Sequence, residues 1–293
     1  MAEFSVIFPF MNAKFISFKG PQWYLNDEVC VRSLADEDFG AIQRGTDPEI
    51  KNLVPSGSKC VLWECGQEVP NNQVIERRLS AIKFALNSFI DEGAVHIPFG
   101  VIIKRARNRT VHGVIEFSYF GISARLSGHS AKIRAKTEPV LIKETFKLAD
   151  IALQKNPACL LMLKRYNMSR LRGDPADELI DIAIALEYVV KSNTELTFRL
   201  CSIIALCVEG DPKSRHKIFE LFSKFYNARS NVVHGASDSS DPKIAKIYES
   251  LGEIRKYCAL VMVYYFKFLE TNDAKEWAFI PLQQVCIVRH YPL

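Results

Sequence analysis

The chain has 293 residues, of which 48% are hydrophobic. It contains 38 Lys and Arg residues and 33 Asp and Glu residues. This composition is typical of a globular protein and excludes a disordered chain, a collagen and a coiled-coil rod. No uninterrupted apolar run reaches the roughly 18 residues that a membrane-spanning helix needs, so we expect no membrane partner.

The first part of the chain, residues 1–135, is predicted to be a strand-rich mixed α/β domain. Short runs rich in Val, Ile, Phe and Trp alternate with Pro, Gly and Asn, a pattern typical of strands and turns. These runs are 4–10, 14–18, 61–63, 99–103 and 114–119. One segment, residues 74–89, instead has apolar residues at helical spacing and is predicted to be a helix.

The second part, residues 136–293, is predicted to be all-α, with a short strand possible in the tail 277–293. Three Asp-Pro pairs, at 174–175, 211–212 and 241–242, each predict a helix start, because Asp caps free N–H groups and Pro tolerates the first helical position. The predicted helices are 139–155, 157–170, 175–191, 195–208, 212–234 and 242–270. Gly210 and Gly235 are placed to end two of them.

Arg229 and His234 are the first candidate residues for chemistry. They lie at the end of the predicted helix 212–234, which carries an apolar stripe of aromatic residues. Histidine suits proton transfer near neutral pH, and a guanidinium suits a phosphate group. The alternative is that both side chains only cap the helix end. The same Arg-to-His spacing recurs at Arg107 and His112, where the flanking extended runs favour a β-hairpin turn with no role in chemistry.

Glu187 is the second candidate, because it lies on a predicted helix that is apolar nearly all round. A carboxylate on such a helix needs a partner, since burying it alone costs several kcal/mol. Lys191, four residues further on, would form an ordinary surface pair. Arg199, embedded among apolar residues of the next predicted helix, would form a buried pair, and we favour that pairing.

The C-terminal part resembles the Apea-like branch of the HEPN superfamily over about residues 140–270. The resemblance is carried by residues 177–181, 185–187, 195–200 and 215–221 and, most specifically, by 225–235, which reads Phe-Tyr-Asn-Ala-Arg-Ser-Asn-Val-Val-His-Gly. It implies an α-helical up-and-down bundle. The overall fold class expected is therefore α+β, with a strand-rich N-terminal domain followed by a HEPN helical domain.

The resemblance also implies a metal-independent endoribonuclease that acts as a homodimer, with the Arg-x4-His motifs of two subunits in one cleft. The matched catalytic residues are Arg229 and His234. Supporting roles fall to Glu187, Arg199, Ser230 and Asn231, and RNA-binding roles to Lys213, Arg215 and Lys224. In this family the setting is often toxin–antitoxin or antiphage defence, so an antitoxin or other defence protein is an expected partner. The alternative is a HEPN module without catalysis that binds RNA, a nucleotide or a protein.

We expect no cofactor and no metal ion. Cys60 and Cys65 lack a second Cys or His pair at zinc-finger distance, and the remaining histidines have no ligand spacing. Buried or free thiols suit a reducing cytosol, and the segment around Glu3 has no basic leader, so a cytoplasmic protein is expected.

Overall fold

The computed structural model describes residues 3–10, 22–45, 58–90, 94–97, 99–105, 111–119, 139–190, 195–208, 210–235 and 241–279. The chain divides into two compact units, Met1–Lys147 and Leu148–Leu293. Strands occupy the N-terminal unit and the C-terminal unit is built from helices, so the mixed α+β class is confirmed.

The N-terminal unit contains a six-stranded antiparallel sheet in the order β2-β3-β4-β1-β5-β6. Its strands are β1 Glu3–Pro9, β2 Gln22–Tyr24, β3 Val29–Ser33, β4 Lys59–Gly66, β5 Phe99–Arg105 and β6 Val111–Tyr119. Among its described residues, this unit holds the whole of α1, Asp36–Gly45, and of α2, Asn72–Asn87. The predicted strands at 4–10, 61–63, 99–103 and 114–119 and the predicted helix at 74–89 are confirmed. The predicted strand at 14–18 lies outside the described residues.

Strand β1 is central in this sheet, which explains its continuous apolar sequence. Val6, Ile7 and Phe8 are all fully buried although neighbouring side chains point to opposite faces of the sheet. Both faces are therefore covered. On β5, Gly100 lies against β1, and a Cβ atom there would come within 2.8 Å of the Phe8 ring. A glycine is needed at this point because the two strands pack around a large aromatic side chain.

The C-terminal unit begins within α3 (Pro139–Lys155), a helix that contains the point of division. Its other elements are α4 Cys159–Ser169, α5 Pro175–Val190, α6 Leu196–Val208, α7 Pro212–Val233, α8 Pro242–Glu249, α9 Leu251–Thr271 and a 3-10 turn, Glu276–Phe279. Helix α5 contacts α4, α6, α7, α8 and α9. Its buried residues lie on most sides, as expected for a central helix.

The Asp-Pro pairs start helices as predicted. The side chain of Asp211 accepts a hydrogen bond from the Ser214 N–H (2.9 Å), and that of Asp241 accepts one from the Lys243 N–H (2.8 Å). Asp174 accepts one from the Ala176 N–H at the start of α5 (2.7 Å). Each carboxylate satisfies an N–H group that the helix itself leaves without a partner.

Two buried acidic residues connect α5 to its neighbours. Asp181 is 1% exposed, and its two carboxylate oxygens accept hydrogen bonds from Arg165 Nη1 (2.8 Å) and Arg172 Nε (2.7 Å). Glu178 is paired with Arg255 on α9, and burial raises the pKa of Glu178. These charges are stable in the interior because each has a charged, hydrogen-bonded partner.

Three features differ from the sequence prediction. The predicted helix 242–270 is broken at Ser250, the residue between α8 and α9, whose hydroxyl donates a hydrogen bond back to the Lys246 carbonyl (2.9 Å). Strands β2 and β3 and helix α1 lie in a segment where the apolar pattern is short and interrupted by acidic residues, and they were not predicted. In the tail predicted as a strand, Glu276–Phe279 forms a 3-10 turn, and residues 280–293 lie outside the described residues.

Within the described part of the chain, no helix has the length and apolar character required to cross a membrane.

Lys83 on α2 provides a test of the N-terminal unit. Burial lowers the pKa of Lys83 from its ordinary 10.5 to about 8, and burial together with the Lys83 charge lowers the pKa of His96 to about 4. Below pH 8 the folded state therefore holds an ammonium at a cost that the unfolded state does not carry, and this cost disappears as the pH rises between about 8 and 10.5. Lys83→Met should raise the free energy of unfolding at pH 7 by on the order of 1–3 kcal/mol.

Urea denaturation at pH 7 and pH 9.5 measures this effect. The advantage of Lys83→Met over the wild type should shrink between pH 7 and pH 9.5, because the comparison at each pH cancels the groups that both proteins share. Lys104→Met, at an exposed position of β5, should differ little from the wild type at either pH. A Lys83→Met variant that is less stable than the wild type at pH 7 would contradict the cost assigned to the buried ammonium.

Candidate functional site

Helix α7 carries the Arg229–His234 segment and is held in place by its aromatic residues. Phe222 and Phe225 are fully buried, with ring centroids 5.8 Å apart, and the ring of Phe222 lies 6.1 Å from that of Tyr257 on α9. The helix ends where predicted, because Gly235 adopts φ +63°, a conformation that glycine reaches without steric cost. His234 is the C-terminal capping residue, and its N–H donates to the Ser230 carbonyl (3.0 Å).

Arg229 lies in a cluster with Glu187 and Tyr226, which we call the Glu187 cluster. Arg229 Nη2 is 3.3 Å from Glu187 Oε1, and each side chain is 27% exposed. The Tyr226 hydroxyl donates a hydrogen bond to the same carboxylate oxygen. The guanidinium carbon lies 6.0 Å from the centroid of the Tyr226 ring, within the range of a cation–π contact. Glu187 and Tyr226 therefore restrict the orientation of the Arg229 guanidinium.

The electrostatics of the Glu187 cluster keep Tyr226 protonated. Burial, together with the hydrogen bond and the charge of Glu187, raises the pKa of Tyr226 well above its ordinary value. The phenol therefore remains a hydrogen-bond donor to Glu187. Arg229 Nε is buried and has no hydrogen-bond partner. Part of the guanidinium is thus fixed inside the protein while the side chain remains partly open to solvent.

The predicted buried pair between Glu187 and Arg199 is wrong. Arg199 is exposed, because on α6 the buried positions next to it are Leu200 and Cys201 and its own side chain lies on the outer side. Glu187 instead lies against α7, where Tyr226 and Arg229 are three residues apart and so share a face. That spacing was visible in the sequence and could have suggested the partner. Lys191, the other candidate, lies outside the described residues.

His234 faces solvent, unlike Arg229. His234 and Asn231 are exposed, and Ser230 is half-buried. Five helical steps separate Arg229 from His234 and turn the side-chain direction by about 140°. Among the described residues, no hydrogen bond or ion pair joins the two. A single chain thus fixes the arginine against α5 and presents the histidine at the end of the same helix.

The predicted RNA-binding residues lie along the same helix. Lys213 and Lys224 are exposed and Arg215 is half-buried. Helix α7 carries five Lys or Arg side chains and one acidic side chain, Glu220, so it is the basic element among the helices around the Glu187 cluster. A basic, exposed helix attracts phosphate groups.

Most of the second Arg-to-His segment, 107–112, lies outside the described residues, which resume at Val111. Strands β5 and β6 are antiparallel, and His112 lies in β6. The turn predicted for this segment falls on residues that are not described. No group of three or more His, Cys, Asp or Glu side chains that could hold a metal ion is found in the described ranges.

Comparison of the chain with family models, with curated proteins and with solved structures finds no match.

The Glu187 cluster can be tested against Asp181, a matched carboxylate on the same helix. Glu187→Gln should lower the free energy of unfolding by only about 0.5–1 kcal/mol, because the pair with Arg229 is partly exposed and screened by solvent. Asp181→Asn should cost about 1.5–3 kcal/mol, since it weakens two charge-assisted hydrogen bonds to a carboxylate that is almost fully buried. Chemical denaturation of both variants gives the comparison. Equal losses would mean that Glu187 is a structural link like Asp181.

Proposed function

We propose that this protein is a HEPN-type endoribonuclease whose Arg229 and His234 act in a cleft between two copies of the chain. The observation that supports it best is the division of roles on α7. The guanidinium of Arg229 is restrained by Glu187 and Tyr226, whereas the imidazole of His234 is exposed at the end of the same helix. A restrained cation and an accessible proton carrier are the two groups that RNA cleavage without a metal requires.

The reaction is a transesterification within the RNA. The 2′-oxygen attacks the adjacent phosphorus and forms a new O–P bond while the bond from phosphorus to the 5′-oxygen breaks. One imidazole removes the proton of the 2′-OH, and a second delivers a proton to the leaving 5′-oxygen. Arg229 stabilises the negative charge that grows on the equatorial oxygens. DNA is not a substrate, because it lacks the 2′-OH.

Two copies are needed for this chemistry because of the geometry of one chain. Arg229 is turned toward α5 and His234 toward solvent, so one helix end does not place both groups on one phosphate. An isologous interface would bring two copies of each residue to a common axis. One His234 would then act as the base and its symmetry mate as the acid. A role in a toxin–antitoxin or antiphage system in the cytoplasm belongs to the same proposal.

The Glu187–Arg229 pair favours one alternative, a HEPN module that binds RNA, a nucleotide or a protein without cleaving RNA. Glu187 offsets part of the positive charge of Arg229, and Ser230 follows the arginine. An arginine neutralised in this way positions a ligand better than it stabilises a transition state. RNA binding that weakens with salt and is not followed by cleavage would select this alternative.

Cleavage of single-stranded RNA in the presence of EDTA tests the main proposal. His234→Ala and Arg229→Ala should each lower the cleavage rate by roughly 10²- to 10⁴-fold, the usual range for losing a proton-transfer group or a fixed charge at the reacting centre. The products should carry a 2′,3′-cyclic phosphate, and a strand with 2′-deoxy sugars should resist cleavage.

His216→Ala is the matched control. His216 is an exposed histidine on the same helix, 3.4 Å from Glu220, and it lies near the opposite end from the proposed site. This variant should cleave at the wild-type rate. Full activity in both the His234→Ala and the Arg229→Ala proteins would reject the proposed site.

A further inference from the structure

An open depression lies at the start of α6, apart from the Glu187 cluster. It is lined by Glu195, Leu196, Thr197 and Phe198. Phe198 is 58% exposed, although a phenylalanine is normally buried. A depression that combines an exposed aromatic ring with an exposed carboxylate differs from an ordinary solvated helix end.

Phe198 is held in position by a second aromatic residue. The ring of Phe198 contacts that of Phe219 on α7, with centroids 5.8 Å apart and an interplanar angle of 67°. This edge-to-face contact restrains the Phe198 ring while most of its surface stays open to solvent. A restrained, exposed ring is the kind of platform on which an unpaired nucleobase stacks.

Glu195 determines what else the depression can bind. Its backbone φ is +52°, in the left-handed region, which is unfavourable for a residue other than glycine. Glu195 is exposed and lines the depression. A carboxylate repels a phosphate group but accepts hydrogen bonds from the N–H groups of a base. The depression therefore suits the base, and not the phosphate, of a nucleotide.

The depression lies beside the basic helix α7, because Phe198 contacts Phe219 of that helix. Phe219 and Arg229 lie ten residues apart on α7, about 15 Å along the helix axis. Arg215, one turn before Phe219, lies on nearly the same side of the helix and offers positive charge to the backbone of a strand. A short single strand that reaches Arg229 can thus place an unpaired base over Phe198.

We propose that this depression binds a guanine base of single-stranded RNA, with Phe198 as the stacking surface and Glu195 as the hydrogen-bond acceptor. Guanine fits best because its N1–H and its 2-amino group point in parallel and match the two oxygens of a carboxylate. This inference rests on the proposed function and adds a base preference to it.

The test measures binding of short labelled RNA strands to the full-length His234→Ala protein, which prevents cleavage during the measurement. A strand with one guanosine in an otherwise uridine sequence should bind about tenfold more tightly than the same strand with inosine, which lacks the 2-amino group. Adding Phe198→Ala should weaken binding of the guanosine strand about tenfold, and Phe198→Trp should restore it. Adding Glu195→Gln should abolish the difference between guanosine and inosine.

Leu161→Ala is the control, because Leu161 is also an exposed apolar residue on a helix of the C-terminal unit. It should leave binding of both strands unchanged. Thermal melting of each variant shows that folding is retained. If free guanosine monophosphate binds with the same dissociation constant as the RNA strand, the rest of the strand contributes nothing to binding. That result would overturn the assignment to RNA. Loss of self-association in Phe198→Ala, without loss of guanosine preference, would overturn it in favour of a second copy on this surface.

The two proposals fail in different ways. Cleavage that depends on His234 together with binding that ignores Phe198 and Glu195 would overturn only the base site. A guanosine preference that depends on Phe198 and Glu195, in a protein that never cleaves RNA, would support the base site and overturn the nuclease. A wild-type protein that binds no single-stranded RNA would overturn both.

Discussion

The half-buried carboxylate of Glu187 sets the arrangement around the proposed site. It lies on α5, the central helix of the C-terminal unit, and a carboxylate in that position needs hydrogen bonds or an opposite charge. Helix α7 supplies both, through the Tyr226 hydroxyl and the Arg229 guanidinium. Buried aromatic residues hold α7 in place, and because Tyr226 and Arg229 lie on one face of it, the carboxylate orients both side chains. His234 lies at the end of the same helix.

Two of the acidic residues of α5, Asp181 and Glu187, serve different purposes. Asp181 is buried, and each of its carboxylate oxygens is paired with an arginine, so its charge is neutralised within the fold. Glu187 and Arg229 are each about a quarter exposed, and Arg229 Nε has no partner. An ion pair that is partly exposed, such as Glu187–Arg229, can separate so that the arginine contacts a ligand, because solvent lowers the free-energy cost of separating the two charges. This difference favours a role in binding or chemistry for Arg229.

The proposed site combines several weak features on one helix. Helix α7 is basic along its length, has an aromatic contact with the start of α6 near its middle, and ends in an exposed imidazole. Lysines and arginines attract the backbone of a nucleic acid without regard to sequence, whereas an aromatic ring and a carboxylate distinguish one base from another. A helix that carries all of these can bind, orient and select a strand over a short distance.

The sequence alone determined the elements whose signals are local. The Asp-Pro caps, the glycine after α7 and the strong apolar periodicity depend on residues a few positions apart, so the helix starts, the end of α7 and the central strand β1 were predictable. The break at Ser250 and the small elements β2, β3 and α1 were missed, because their stability comes from packing against distant residues. The choice between Arg199 and Arg229 as the partner of Glu187 was decided only by the tertiary structure. Both arginines lie near apolar residues in the sequence, but only the packing of α5 against α7 determines which of them faces the carboxylate.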